Sequence, residues 1–516
     1  MKTTTIKMAT LVIFLQFIFA TSLIARQGEV ASESDEIDHK VSIKFFNTLQ
    51  SLDVKSRGKI ALTNDDENVK SISSGGYLRI RKTTFGNKKE VLIESDHDGN
   101  LSKYYYDNRI EMEFETEGRR WLRDILPEVV RSTGIAAEDR VNRFFKADGV
   151  EGVLDEIEEL SGSSVKGKYF GLLLEKNGLN GRDLSKIARE ISSEISSSSQ
   201  QGDIYRKYSH KFLASEESAE DFFRGIGRVS SSSEQGYTLR QVLRKNNLTP
   251  PVMALLLDAT SNISSSSERG AVLRDFNEGY VNDPEVARAY FDAVDQISSS
   301  SEQGSVLRDL LKLHDLSEDV LERLFESVDL ISSSSERGAV LRTAMAQVEG
   351  KEQSLDQFFR TVGNISSSSE MGSVLRSILD EASVRGKYMT QLLETVDRIS
   401  SSSERGAVLR RAIPFLENDP EIMNQFFQAV ENISSSSEQG YVLTELVESG
   451  ELDDSGLIGV LETSEGISSS STRVDVMLAV SDWITEDSKE VREVYKEVAK
   501  SLDSTSGYRA VMEKVF

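Results

Sequence analysis

A 34-residue period constrains the fold of this chain more than any other feature of its sequence. Nine times an aliphatic residue is followed by four serines, a run that we call the serine tetrad. The aliphatic residues that begin the nine copies are Ile195, Val229, Ile263, Ile297, Ile331, Ile365, Ile399, Ile433 and Ile467. Decayed copies begin near Leu160 and Leu502. Because one such unit can bury its apolar face only against its neighbours, the period predicts an elongated repeat array.

Each unit is predicted to contain two helices. Ser299 and Glu302 have the spacing of a capping box, in which the serine hydroxyl accepts a hydrogen bond from a first-turn backbone amide and the glutamate carboxylate accepts one from the backbone amide of the cap residue itself. Ser317 is the predicted N-cap of the second helix. The apolar stripes that follow are Val306, Leu307, Leu310 and Leu311, then Val320, Leu321, Leu324, Phe325, Val328 and Ile331. The predicted fold is therefore mainly α, an α-solenoid of helical hairpins of the HEAT/TPR-like class, and Gly304 predicts close approach by a neighbouring helix.

The sequence before the array has a different residue pattern. Between residues 58 and 114, short alternating segments such as Tyr77-Leu-Arg-Ile-Arg-Lys are bounded by turn residues, which predicts a small antiparallel β-meander. We interpret residues 26–57 as a polar linker with a short helix around Ser42 to Leu52. Residues 115–159 are predicted to be helices that cover one face of the sheet and cap the array. Residues 160–516 then form the solenoid, with about ten 34-residue repeats.

The repeat unit resembles that of a known group of proteins. The pattern Ile-Ser-Ser-x-x-Glu-x-Gly-x-Val-Leu is similar to repeats of poorly characterised exported bacterial proteins. The segment from Gly58-Lys-Ile-Ala-Leu-Thr to Trp121-Leu resembles the small β domain that accompanies those repeats. This resemblance implies an architecture and an exported location, and it supplies no catalytic residues. Some relatives are joined to zinc peptidases, but this sequence has no His-Glu-x-x-His, so that activity is not carried over.

The N-terminus predicts export. Lys2 and Lys7 precede an apolar run from Met8 to Ala25, which is the layout of a secretory signal peptide. An uncleaved membrane anchor over residues 8–25 is the alternative, because about 18 apolar residues can just cross a bilayer. The absence of cysteine excludes disulfides and is typical of a bacterial envelope protein. We therefore expect the chain in the periplasm or cell envelope.

Composition narrows the class of partner. The chain has 61 Lys and Arg against 85 Asp and Glu, a formal net charge of −24. Nucleic acids and anionic membrane surfaces are bound by clustered cations, so neither is expected as a partner. A protein partner is the expectation. An enzyme, or a regulatory subunit of one, with a site where the β domain meets the first repeats, is the alternative.

No local motif predicts a metal or cofactor. None of the four histidines, His39, His97, His210 and His314, lies four residues from another. Asp96-His97-Asp98-Gly99-Asn100 is similar to the start of a calcium loop, but its glycine is at the fourth position rather than the sixth. We interpret it as a hairpin turn.

Two repeated polar features are candidate sites. The tetrads could align hydroxyls for a polar ligand, although helix capping explains them more simply. An arginine also recurs at one position of successive units. These residues are Arg206, Arg240, Arg274, Arg308, Arg342, Arg376 and Arg410. This arginine row could be paired inside the array, for example with Asp295 and Asp329, or could form a groove that binds a carboxylate-rich partner.

Overall fold

The computed structural model describes residues 38–44, 50–276, 280–312, 316–380, 387–417 and 419–516. They divide into two compact units, one that ends at Asn177 and one that begins at Gly178. The predicted signal peptide or anchor lies outside the described residues and stays a prediction.

A six-stranded antiparallel sheet forms the start of the first unit. Its strands are β1 (Asp38–Lys44), β2 (Gln50–Arg57), β5 (Tyr77–Thr84), β6 (Asn87–Ser95), β7 (Leu101–Asp107) and β8 (Ile110–Met112), in the order β1-β2-β5-β6-β7-β8. Strands β3 (Ile60–Leu62) and β4 (Val69–Ile72) pair separately as a second, two-stranded sheet. A small antiparallel β domain at the N-terminus is thus confirmed.

The short helix expected around Ser42 to Leu52 is wrong. The described residues at its two ends, 42–44 and 50–52, belong to β1 and β2, which pair in register with Ser42 opposite Asp53. The physical reason is the period of two along β2, where Leu52, Val54 and Ser56 are buried and the residues between them are not. A helix would scatter these residues over several faces. The β domain therefore includes described strands from Asp38 onward, well before residue 58.

The first helix after the sheet packs on one of its faces, as predicted for the start of residues 115–159. A five-residue π-helix, Phe114–Gly118, leads into α1 (Arg119–Thr133), which is followed by α2 (Ala137–Glu159) and α3 (Ser163–Leu174). Helix α2 is kinked at Asp148 and Gly149, whose backbone angles are not helical. The core joins Leu78, Ile80, Val91 and Ile93 of the sheet to Leu122, Leu126 and Val129 of α1.

The described residues of the second unit form paired helices. The first helices of the pairs, each preceded by a tetrad, are α5 (Ser198–Phe212), α7 (Ser232–Lys245), α9 (Ser266–Arg274), α11 (Ser300–Leu310), α13 (Ser334–Val348), α15 (Ser368–Asp380), α17 (Ser402–Ala412), α19 (Ser436–Glu448) and α21 (Ser470–Ser481). The second helices are α4 (Gly181–Glu194), α6 (Glu216–Gly227), α8 (Pro250–Thr260), α10 (Pro284–Asp295), α12 (Glu318–Leu330), α14 (Glu352–Gly363), α16 (Lys387–Val396), α18 (Pro420–Glu431), α20 (Asp454–Glu465) and α22 (Lys489–Lys500), after which comes α23 (Thr505–Val515).

The pairs stack as an α-solenoid, which confirms the predicted fold class. First helices contact first helices of the adjacent units, and second helices contact second helices. Both predicted apolar stripes are buried, from Val306 to Leu311 in one helix and from Val320 to Ile331 in the next. Each unit therefore completes its core with its neighbours.

The stack has two kinds of connection. We call the connections that carry the tetrads, from a second helix to the next first helix, the serine edge. We call those from a first helix to its own second helix the turn edge. At the turn edge Asp283 and Asp419 cap α10 and α18, each followed by proline as the first helical residue.

Candidate interaction site

The second serine of each tetrad caps a helix. The Oγ of Ser299 accepts a hydrogen bond from the backbone N–H of Glu302 at 3.4 Å. The same cap recurs at Ser197, Ser231, Ser265, Ser333, Ser367, Ser401, Ser435 and Ser469. The predicted role of the tetrad as a helix start is confirmed.

The other half of the predicted capping box is wrong. The carboxylate of Glu302 does not return to the backbone of Ser299, and instead accepts a bond from the guanidinium of Arg274 at 2.5 Å. Arg274 lies in the preceding unit. A charged donor binds a carboxylate more strongly than a neutral amide does, so the glutamate joins two units instead of closing its own cap.

The first and third serines of the tetrads join neighbouring units. The third serine of one tetrad and the first serine of the next share a hydrogen bond, as between Ser300 and Ser332 at 2.8 Å. This contact recurs in Ser198–Ser230, Ser232–Ser264, Ser266–Ser298, Ser334–Ser366, Ser368–Ser400 and Ser436–Ser468. The fourth serine, Ser301, contacts the capping hydroxyl of Ser299 at 3.2 Å. Four serines per unit therefore supply one cap and a line of hydroxyl contacts along the serine edge.

Every member of the arginine row is paired inside the array. Each guanidinium contacts the glutamate that follows the tetrad of the next unit. The pairs are Arg206–Glu234, Arg240–Glu268, Arg274–Glu302, Arg308–Glu336, Arg342–Glu370, Arg376–Glu404 and Arg410–Glu438. The Arg308 pair measures 2.9 Å, with its side chains 30% and 26% exposed. These half-buried ion pairs compensate the positive charge of each arginine, so no ligand is needed to explain the row.

The expected counter-charges, Asp295 and Asp329, are not the partners of this row. They lie near the C-terminal ends of second helices, where Asp329 accepts a bond from the side-chain amide of Asn364 at 3.0 Å. Burial raises the pKa of both carboxyl groups. The arginines lie on first helices, so the nearest acids are those that begin the next first helix.

The repeated glycine makes room for this ion pair. A Cβ atom at Gly304 would lie 2.7 Å from Glu336 Oε2 and 3.2 Å from Arg308 Nη1. The same crowding by the next glutamate occurs at Gly236, Gly270 and Gly338. Close approach at Gly304 was predicted, and the structure identifies the approaching group as a carboxylate.

Sequence reasoning missed one structural position, the residue just before this glycine. Arg337 donates to the backbone carbonyls of Ile331 at 2.5 Å and Asn364 at 2.9 Å in its own unit, and to that of Asp329 in the preceding unit at 2.5 Å. Arg405 makes the equivalent three bonds, and Gln439 makes two to carbonyls of the preceding unit. These side chains satisfy carbonyls at the ends of second helices. The sequence signal that could have identified this position is a polar residue that recurs at a fixed place beside the apolar stripe.

The turn edge varies from unit to unit. Nine residues, 275–283, separate α9 from α10, whereas three residues, 349–351, separate α13 from α14. Unit 178–516 has 35 Lys and Arg against 56 Asp and Glu, so most of the negative charge of the chain lies in the solenoid. Each arginine of the row is already paired with a glutamate. The excess charge that the solenoid presents to a partner is therefore negative.

A buried ionic cluster lies in the first unit. Arg140 is 2% exposed and bonds Asp66 at 2.9 Å, Glu156 at 2.8 Å and Tyr169 at 2.6 Å. Burial opposes the charge of Arg140, but Tyr169, Glu156 and Asp66 together raise its pKa above the ordinary value. The cluster connects the turn between β3 and β4 to α2 and α3. Its groups bond one another, which is the behaviour of a structural clamp.

The calcium-like segment is a hairpin turn, as predicted. Asp96 accepts hydrogen bonds from the backbone N–H of Asp98 at 2.9 Å and of Asn100 at 2.8 Å. Bonds from Asn100 are the main cause of a lowered pKa for the Asp96 carboxyl. Within the described residues, no three His, Cys, Asp or Glu side chains come together as a metal site. No helix in that part of the chain is both long and apolar enough to span a bilayer.

Comparisons with known proteins give only distant structural likenesses. No family model matches the sequence, and no curated protein matches it. The crystal structure of an engineered protein is similar at 15% identity, over 71% of this chain and 98% of that one, with a TM-score of 0.27. A homology model of the AP-3 complex in an intermediate open conformation is similar at 11% identity, over 78% and 94%, with a TM-score of 0.21. Scores this low carry no argument about function.

Proposed function

We propose that this chain is a non-enzymatic, protein-binding scaffold or sensor of the bacterial cell envelope. The leader-like N-terminus and the absence of cysteine support the location. The resemblance of the repeats to those of exported bacterial proteins supports it as well.

One observation carries the proposed activity. The repeated serines, arginines and glutamates contact each other between successive units, while the turn edge changes in length and sequence from unit to unit. In repeat proteins a stack of this kind presents an extended surface whose variable positions select the partner. The net charge of the solenoid favours a partner with a basic segment over the carboxylate-rich partner considered for the arginine row.

The test is capture from intact cells that carry the full chain. Crosslinking, fractionation and affinity purification should recover the protein in the envelope fraction together with a protein partner. A matched control replaces Glu318 and Glu322, two exposed acids of α12, with glutamine, and should retain the location while reporting whether that face contributes to capture. Intact mass distinguishes removal of the leader from an uncleaved anchor. Recovery in the cytoplasmic fraction, or envelope protein with no crosslinked partner, would contradict the proposal.

A further inference from the structure

A small apolar cleft opens at the turn edge, between the units that begin at Ile399 and Ile433. Its lining residues are Ile413, Leu416, Glu417, Met423, Leu446, Ser449, Glu451 and Leu452. The space that these residues enclose is about 30 Å³, and the rest of the cleft is open to solvent. Pockets for whole small-molecule ligands are much larger and more enclosed, so this shallow cleft can take only one side chain that lies along its mouth.

The backbone at the mouth of the cleft is held in an uncommon conformation. Glu417 is exposed and has a φ of +51°, in the left-handed region that residues other than glycine rarely adopt. Such a conformation persists only where the surrounding structure maintains it. Here it keeps a carboxylate-bearing residue in the lining of an apolar cleft.

An indole flanks the same cleft. Trp483 is 44% exposed, and its ring edge would lie 2.9 Å from a Cβ atom at Gly450. Gly450 stands between Ser449 and Glu451, two of the lining residues, and has a φ of +74°. The glycine therefore allows both the turn and the close approach of the ring. The exposed aromatic surface therefore lies next to the connection that carries Glu451.

The charged residues in the sequence around the cleft are all acidic. From Ala412 to Thr472 the chain contains no lysine or arginine and twelve acidic residues. The acids are Glu417, Asp419, Glu421, Glu431, Glu438, Glu445, Glu448, Glu451, Asp453, Asp454, Glu462 and Glu465. Two arginines directly precede this stretch: Arg410 is paired with Glu438 and Glu445, and Arg411 is paired with Asp380. A field of one sign around an apolar cleft favours an occupant with a long apolar stem and a positive end.

We propose that this cleft binds an arginine side chain from a basic segment of a partner protein. The inference rests on the proposed function and assigns to it a site and a partner chemistry. The methylene stem would pack on Leu416, Met423 and Leu446, and the guanidinium would face Glu417 and Glu451. Guanidinium is preferred to ammonium because it is planar, stacks on an indole such as Trp483 and binds carboxylates through two N–H groups.

The direct test uses the full-length protein and a fluorescein-labelled twelve-residue peptide of alternating arginine and serine. Three companion peptides carry lysine, glutamate or citrulline in place of arginine, and citrulline keeps the shape of arginine without its charge. By fluorescence anisotropy the arginine peptide should bind at least tenfold more tightly than the citrulline peptide and severalfold more tightly than the lysine peptide. Affinity should fall as sodium chloride rises, since exposed charges are screened. Equal binding of the arginine and citrulline peptides would overturn the proposal.

Matched variants separate the cleft from the general negative charge. The double variant Glu417→Gln and Glu451→Gln should weaken arginine-peptide binding about tenfold. The control Glu462→Gln and Glu465→Gln removes the same charge from exposed positions of α20, in the same acidic stretch, and should change binding less than twofold. Equal losses in both variants would show diffuse attraction and exclude the cleft.

A third variant tests the indole. Trp483→Leu should weaken binding several fold, and Trp483→Phe should restore part of the loss, because an aromatic face returns. Thermal melts confirm that each variant is folded. A partner that is captured from the envelope equally well by the cleft variants would exclude this site and leave the proposed function standing. Failure to capture any partner would contradict the proposed function itself.

Discussion

The two edges of the solenoid differ in how regularly their contacts repeat. On the serine edge the same contacts recur in successive units, namely the serine cap, the hydroxyl contact and the arginine–glutamate pair, as around Ser299, Ser300 and Arg274. On the turn edge the connections change in length from three residues to nine, and the helices begin and end at different residues. One edge fixes the spacing of neighbouring units, so the other can vary without disturbing the stack.

This division has an energetic consequence. In a repeat array, stability is approximately a sum of unit terms and nearest-neighbour terms, so a contact of about 1 kcal/mol matters because it is repeated. The serine-edge contacts cross from one unit to the next, as from Arg308 to Glu336. Substitutions on this edge should therefore lower stability without changing partner binding, while turn-edge substitutions should do the reverse.

The largest effect is expected for Arg337→Met. The guanidinium of Arg337 satisfies three backbone carbonyls across two units, and hydrogen bonds from charged donors contribute about 1.5–3 kcal/mol each. Because part of that backbone can be hydrated and Met371 occupies the same position in the next unit, we expect a loss of about 2–3 kcal/mol in urea unfolding.

The control for this prediction is Arg360→Met on the exposed face of α14. Its guanidinium contacts only the nearby Gln357 side chain among the described bonds, at 3.3 Å. We expect a change below about 0.5 kcal/mol there. Similar losses at both positions would show that the serine edge is no more important to the stack than the outer surface.

The next largest effect is expected for the double variant Arg308→Ala and Arg342→Ala. Both side chains are about one-third exposed, so solvent screens the pairs, and the two changes together should cost about 1.5 kcal/mol. The melting temperature should fall, and capture of the partner should be unchanged. Unchanged stability with abolished capture would move the arginine row into the binding site and break the contrast between the edges.

The sequence predicted the repeat fold because its signals are local. Period, apolar spacing and N-caps such as Ser299 and Ser317 depend on residues within one unit. The partner of Arg274 was not predictable in the same way, because Glu302 lies 28 residues away and is close only after the units stack. The helix expected at Ser42 to Leu52 was wrong because β2 alternates with a period of two, and the pairing with β5 that fixes it as a strand lies more than 20 residues further along the chain.

The turn-edge cleft is the part least accessible to sequence reasoning. Its lining comes from connections that do not repeat, such as Leu416 and Leu452, and no period aligns them. Trp483 belongs to a third unit, and its position over Gly450 follows only from the stacked structure. The sequence alone shows that the surrounding residues are acidic. It does not show where those acidic residues lie next to apolar surface.

The smallest effects are expected within one tetrad, where three neighbouring serines have three different roles. Ser299→Ala removes the cap and should cost about 1 kcal/mol. Ser300→Ala removes one neutral contact to Ser332 in the next unit and should cost about 0.5 kcal/mol, since those hydroxyls can bond to water instead. Ser301→Ala is the matched control, because Ser301 is exposed and only contacts the capping hydroxyl, so its loss should be close to zero. Urea unfolding of the three variants checks the order, and equal losses at Ser299 and Ser301 would contradict the assignment of the cap to the second serine.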